Sequence, residues 1–374
     1  MSYESVDKLQ NLLADEVFHY ATDKKKAAGR ALGTFIEVIT YYLLKNWNVE
    51  TFAAIERPLP EFANDDITHN VEFTLHGHKL VLEESYNEAD FPISISSLLK
   101  KHNSFTNFTK KKTGQLIDKH RILRNACTIL ENENSFVNFY VNSSKEKIEA
   151  YELIKKPFAM FECKRVGVEE GTKKGPQTIE KAKQGSYVAR TVSSLQKIRQ
   201  NDGIIAGFIH KDNGSHIIKE YYSLLDEVIK SNDIELLNNF ILTVGVVSNH
   251  GNWFTSENPN KELKVLAQSY DWLLFLTDKG ISEFITELLL KPEKKYSAIK
   301  KAFDLSYNST KTGNVFTKVK MNYDADIALN LYFKENSSKI ENWFNVISPK
   351  KRKLDMLKNE IKILTKKDWW SIYS

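Results

Sequence analysis

The chain has 374 residues, 41% of them hydrophobic and 27% charged, with 53 Lys and Arg against 48 Asp and Glu. Such a balance excludes a disordered tail, a collagen-like repeat and a bundle of membrane spans, and it allows two or three domains with a sizeable core. Two cysteines, Cys127 and Cys163, are too few for a disulfide framework or a four-thiolate zinc site; they fit a reducing compartment, so a cytoplasmic protein is expected. The opening residues alternate charge with apolar side chains and lack an apolar signal core. The longest apolar stretch, Phe240 to Val247, falls far short of a membrane span, so no membrane partner is expected.

In chain order, residues 3–21 and 27–46 read as helices, the second with Phe35, Ile36, Ile39, Tyr42, Leu43 and Leu44 on a broad apolar face and Glu37 beside it. Residues 69–84 alternate apolar and polar side chains about His76-Gly77-His78, which predicts a hairpin. Residues 95–132 read as helical around a lysine-rich middle. Strands are predicted over 136–141, 148–154 and 158–166, with Lys155-Lys156-Pro157 as a turn. The segment from Gly167 to Gly175 is a glycine-punctuated loop, and Pro176 suits the first turn of the helix that follows. Two apolar strands, 239–247 and 272–276, and a helix over 281–290 complete an α/β pattern.

Charge is unevenly distributed along the chain. Residues 98–126 carry eight Lys and Arg against one Asp, a net +7, and residues 291–374 carry a net +9, so the remainder is at −11 within a total of +5. An acidic body with two basic segments points to a polyanionic partner, whereas a single lysine run is more often a solvated face. The first basic segment interleaves Lys and Arg with Asn103, Ser104, Asn107, Gln115 and Asn125, a mixture suited to phosphate contact and base reading. The second adds Lys311, Lys318, Lys320 and Lys350 to Lys353, with Tyr323, Trp343, Trp369 and Trp370. Those aromatics suit base stacking, a dimer contact or, more commonly in a folded helical region, the core.

The residues that carry chemistry are Glu162-Cys163-Lys164 at the end of the apolar strand 158–166. An acid and an amine two positions apart on a strand face the same side, and burying them costs free energy unless both have partners. An edge ion pair is the plain alternative. Neither a zinc-ligand spacing nor a nucleotide-binding Gly-x-x-x-x-Gly-Lys loop is present. The stretch Phe158 to Arg165, the Gly/Lys loop and the helix containing Lys183-Gln184-Gly185-Ser186-Tyr187 resemble the core of the PD-(D/E)XK nucleases, in their type II restriction endonuclease branch. The earlier helix with Gly33 to Glu37 and the two later apolar strands agree with that family's αβββαβ order. The resemblance spans about residues 27–85 and 155–290, on short and degenerate motifs.

The resemblance implies a restriction-endonuclease-like α/β core, a mixed sheet flanked by helices, over residues 1–95 and 145–290. A mainly helical basic insertion at 96–144 would contact DNA, and a basic region at 291–374 would serve recognition or dimerisation. It implies Mg²⁺ held by Glu162, an upstream acid and the carbonyl of Cys163, with Lys164 orienting the attacking water; hard oxygen ligands suit that ion. No Pro-Asp precedes the strand, so the upstream acid is open between Asp66, Glu72 and Glu152, while Glu37 reads as a surface acid or an accessory carboxylate. Lys110, Lys111, Lys112, Lys119, Arg121, Arg124, Lys173 and Lys174 are the expected DNA contacts. A type II enzyme would cut both strands of a specific site, leave 5′-phosphates, act as a homodimer and work beside a separate DNA methyltransferase.

Overall fold

The computed structural model describes residues 6–57, 70–102, 105–110, 114–125, 128–166, 185–201, 204–211, 213–249, 261–307 and 314–373. Helix α1 (Val6–Glu16) packs on α2 (Lys24–Asn46), which Asp23 caps by accepting from the Lys26 amide. Twelve residues of α2 are buried, from Ala28 to Leu44. Its β-branched residues lower helix propensity, but a helix buried around most of its circumference is held by tertiary packing instead.

A nine-stranded mixed sheet forms the body. Its strands are β1 (Ala53–Arg57), β2 (Val71–Ser85), β3 (Thr109–Lys110), β4 (Thr128–Glu131), β5 (Ser135–Asn142), β6 (Lys147–Val166), β7 (Leu242–Asn249), β8 (Trp272–Leu276) and β9 (Phe344–Ser348). The order β9-β8-β7-β6-β5-β4-β3 is joined by β2, which lies against β6 and carries β1 on its other side. The β6-β7-β8 pairs are parallel and the others antiparallel. Strands β7 and β8 are buried along their whole length, as their unbroken apolar runs predict.

Two predicted turns are absent. The sequence places a turn at Lys155-Lys156-Pro157, but β6 runs unbroken through twenty residues, and Pro157 sits opposite His76 where the β2 register shifts. The ring is accommodated at an irregularity, the place a proline can occupy inside a sheet. Residues His76-Gly77-His78 likewise lie within the single strand β2. Gly77 is needed there for close approach, because an added Cβ would lie 2.3 Å from the Cβ of Trp369. The 95–132 segment is not mainly helical either. Among its described residues the α-helix is confined to Ile95–Lys101, and the strands Gln115–Ile117 and Ile122–Arg124 form a small sheet with Ile93–Ser94 and Lys320–Asn322, while β3 and β4 extend the main sheet.

The C-terminal region is part of the body as well. Strand β9 pairs with β8, and Trp369 stacks on Phe158 with ring centroids 5.1 Å apart. Trp343, Tyr323 and Trp369 are all buried, so among the alternatives for these aromatics the core is realised. Arg352, from the lysine-arginine run, pairs with Asp226 and Glu360. A further antiparallel sheet, Gln196–Arg199 with Ile205–His210 and His216–Glu220, was not foreseen. No helix among the described residues is long and apolar enough to cross a membrane.

Candidate functional site

The acid and the amine of Glu162-Cys163-Lys164 meet on β6. Glu162 is 1% exposed, and its Oε1 accepts from Lys164 Nζ at 2.8 Å. Its Oε2 receives the backbone N–H of Glu72, at 3.4 Å, from the adjacent antiparallel strand β2. The Lys164 side chain remains a quarter exposed, so the pair lies where β6 reaches solvent. Cys163 faces the other way, into the core against α2, where burial pushes its thiol pKa up; this side chain serves packing, as its position between the charged residues suggests.

Behind Glu162 stand α3 (residues 185–191) and Tyr270. An added Cβ at Gly185 would lie 2.6 Å from Glu162 Cγ and 2.9 Å from the Tyr270 hydroxyl oxygen. Glycine at this position therefore lets the helix close directly over the carboxylate. Burial, with the nearby charge of Glu162, holds the Tyr270 hydroxyl well above the usual tyrosine range. It stays neutral as one wall of the site.

Three more carboxylates meet on one lysine, and of these residues Glu72 also reaches Glu162 through its backbone N–H. Glu37 from α2, Glu56 from β1 and Glu72 from β2 all pair with the ammonium of Lys318: Glu37 Oε2 at 3.0 Å, Glu56 Oε1 at 3.2 Å and Glu72 in direct contact. Glu37 is thus a partly exposed acid paired with Lys318. Glu56 has φ of 52°, a left-handed backbone unusual for this residue type; such conformations persist where the surroundings over-determine them and gather at functional sites.

Of the described candidates for the upstream acid, Glu72 reaches Glu162 through its backbone N–H, while its carboxylate pairs with Lys318. Glu152 does not reach it, because β6 is continuous: ten strand residues, about 33 Å at the usual rise, separate it from Glu162. It pairs instead with Lys79 and accepts from Ser135. Asp66 lies outside the described residues, as do Lys111, Lys112, Lys173 and Lys174.

The remaining basic candidates are dispersed. Lys110 belongs to β3, opposite Leu130, and Lys119 is exposed in the turn before Ile122–Arg124. Arg124 is half-buried on that short strand beside Lys320. Arg121 is committed to the fold: its guanidinium joins Glu88 and Asp324 across Phe91 and Tyr323.

Glu56, Lys318 and Tyr270 were not identified as site residues from the sequence. The carboxylates of Glu37, Glu56 and Glu72 outnumber the charge of Lys318 by two, and like that of Glu162 they are hard oxygen donors. As the side chains stand, no group of three or more His, Cys, Asp or Glu among the described residues is arranged to hold a metal ion.

The chain is an α/β protein with a mixed sheet flanked by helices, an acid-lysine pair on β6 and a second acid-lysine cluster in which Lys318 joins α2, β1 and β2. No protein-family model matches it, and comparisons with curated proteins and with solved structures likewise find no match.

Proposed function

We propose that this chain is a Mg²⁺-dependent endonuclease of the PD-(D/E)XK type that cuts both strands of DNA at a specific sequence, as type II restriction enzymes do. The observation that carries the reading is the buried Glu162 carboxylate paired with the partly exposed Lys164 two residues on, steadied by the Glu72 backbone N–H of the neighbouring strand. With residues 86–146 and 192–241 set aside as insertions, the order α2, β1, β2, β6, α3, β7 is in keeping with the αβββαβ succession expected of that core.

Glu162 and Glu72, with the Cys163 carbonyl, are the groups that would hold Mg²⁺, and Glu37 is an accessory carboxylate. Bound there, the cation supplies a more acidic water and offsets negative charge on the phosphate. Within the chain, Lys164 Nζ and the Glu72 amide fix the two oxygens of Glu162. The partly exposed Lys164 ammonium can donate to a water or phosphate oxygen from the solvent side. Tyr270 and the close-packed Gly185 exclude water from behind the carboxylate. The exposed Lys119 and the neighbouring Arg124 would contact the phosphate backbone, making binding salt-dependent. Cutting a symmetric site calls for a homodimer, the products would bear 5′-phosphates, and a separate methyltransferase would protect host DNA.

The test is incubation of wild type, Glu162→Ala and Lys164→Ala with a sequenced plasmid and Mg²⁺. Discrete fragments are expected from wild type, with a loss on the order of 100-fold or more in each variant. Variants that cut as well as wild type would refute the assignment. A smear would indicate a structure-directed repair or mobile-element nuclease, and DNA binding in EDTA without cleavage in Mg²⁺ or Mn²⁺ a non-catalytic DNA-binding protein.

A further inference from the structure

A cavity of about 480 Å³ lies between the C-terminal end of α3, the strand Gln196–Arg199 and the segment 268–271 that leads into β8. Its charge is one-sided. Lys197 and Arg199 stand two apart on a strand and share a face, and Arg190 joins them from α3. Asp271 is the one acid among the described residues that line it, and its oxygens are committed to the fold: they accept from the Tyr221 hydroxyl, and from the Thr243 amide and hydroxyl at 2.7 and 2.9 Å. Arg190 Nε donates to Ser269 Oγ at 3.0 Å, and Ser269 Oγ to Val265 O at 3.0 Å, so the guanidinium is oriented without being neutralised. Neither Arg190 nor Arg199 has a carboxylate partner among the described residues, and both are exposed.

Lysines on an open surface swing apart to relieve repulsion, but Lys197 is pinned. Its ammonium donates to Ala267 O at 3.2 Å and to Tyr270 O, and it lies 4.6 Å from the centre of the Tyr221 ring. Two of its three N–H donors are thereby used. Burial brings its pKa down to about 8 against the pull of Asp271, and the nearby charge of Arg190 adds to the fall. A pinned cation beside two unpaired guanidiniums leaves a surplus of two positive charges around a hollow, a pattern that an anion relieves. The planar fork of arginine matches phosphate oxygens, and the volume falls in the range of small-ligand pockets, so it leaves room for more than the anion itself. We propose that this cavity is a phosphate-binding site, with Arg190 and Arg199 gripping the phosphate oxygens and Lys197 beneath them, and that its ligand is a nucleotide, free or within a nucleic-acid strand. The site stands apart from the acid-lysine pair and does not require that pair to be catalytic. The two are nevertheless neighbours: Tyr270 offers its carbonyl to Lys197 and its hydroxyl to the wall around Glu162, and α3 carries Gly185 at one site and Arg190 at the other. Five helical residues span about 7.5 Å, a distance that a strand rising about 3.4 Å per nucleotide covers in two to three steps.

The test is calorimetric titration of the full-length chain in EDTA with three probes: a deoxynucleoside 5′-monophosphate, the same deoxynucleoside without phosphate, and a short single-stranded oligonucleotide. Wild type should bind at least one of the two phosphate-bearing probes and ignore the bare nucleoside. Arg190→Ala, Arg199→Ala and Lys197→Met should each weaken that binding about tenfold or more, as loss of a charge-assisted hydrogen bond does. Lys362→Ala, at an exposed lysine that does not line the cavity, should bind as wild type does. Arg199→Ala guards against a Lys197 variant that fails to fold, and without ligand it should melt no lower than wild type, because its removal relieves repulsion. Tighter binding of the oligonucleotide than of the monophosphate identifies a strand as the ligand, and the reverse order a free nucleotide. Failure of wild type to bind either phosphate-bearing probe, equal binding of the bare nucleoside, or binding unchanged in the folded cavity variants overturns the proposal. Binding is read without metal or cleavage, so the outcome is separate from that of the nuclease reading.

Discussion

Replacing Gly185 by alanine sets two effects of opposite sign against each other. The residue is helical, and alanine is favoured over glycine in a helix interior by about 1 kcal/mol. The new Cβ, however, would sit 2.6 Å from Glu162 Cγ, 3.0 Å from its Cδ and 2.9 Å from the Tyr270 hydroxyl oxygen. Glu162 and Tyr270 are both buried, so neither can swing aside into solvent. Overpacking of this kind costs about 1–3 kcal/mol, leaving a net destabilisation of roughly 0–2 kcal/mol. The larger effect falls on the site, because relieving a 2.6 Å contact moves the carboxylate by about 1 Å, a displacement able to cost on the order of 100-fold in rate. Gly33→Ala is the matched control: it too lies in a helix, but its Cβ would meet nothing within 4 Å. Thermal melting and plasmid cleavage would be measured for both. The expected outcome is a more stable, fully active Gly33→Ala and a Gly185→Ala that melts at or below wild type with cleavage largely lost. A Gly185→Ala protein as active as wild type and more stable by the full helix-propensity gain would refute the packing argument.

Gly77→Ala should lower the melting temperature substantially, because its Cβ would collide with Trp369 at 2.3 Å while that ring is stacked on Phe158; an unchanged melting temperature would disprove the close approach. Glu360 provides a pH test. Burial raises its carboxyl to about 7, although Trp272 and Arg352 both donate to it. The folded state therefore takes up a proton before the unfolded chain does, so this group's contribution to stability grows as pH falls through 7 towards the unfolded value. The bound is roughly 3 kcal/mol. Melting of wild type against Glu360→Gln from pH 8 to pH 5 should show wild type gaining relative to the variant, and parallel curves would exclude the shift.

Much of the site was legible as local pattern. Strands that are buried on both faces announce themselves as apolar runs, which is why 272–276 matches β8 residue for residue, and the acid and amine of Glu162 and Lys164 share a face through the two-residue period of a strand. The same local reasoning misplaced the turns. Gly77 and Pro157 are turn residues by composition, but the sheet kept both inside long strands, one because Trp369 packs against it and the other because the register shifts there. Continuity of β6 in turn removed Glu152 from the site, since a carboxylate ten residues along an unbroken strand cannot come back to Glu162.

Periodicity and charge pattern suffice for an α/β chain with an acid-lysine pair on a buried strand and two basic segments. Tertiary structure decided which groups surround that pair. Glu72 and Lys318 are 246 residues apart in sequence, and no periodicity or motif links them. They meet because the C-terminal hairpin docks on Ile122–Arg124 and buries Phe316 against α2. Packing of apolar side chains fixes where that hairpin sits, and the charge at its tip is carried along with it.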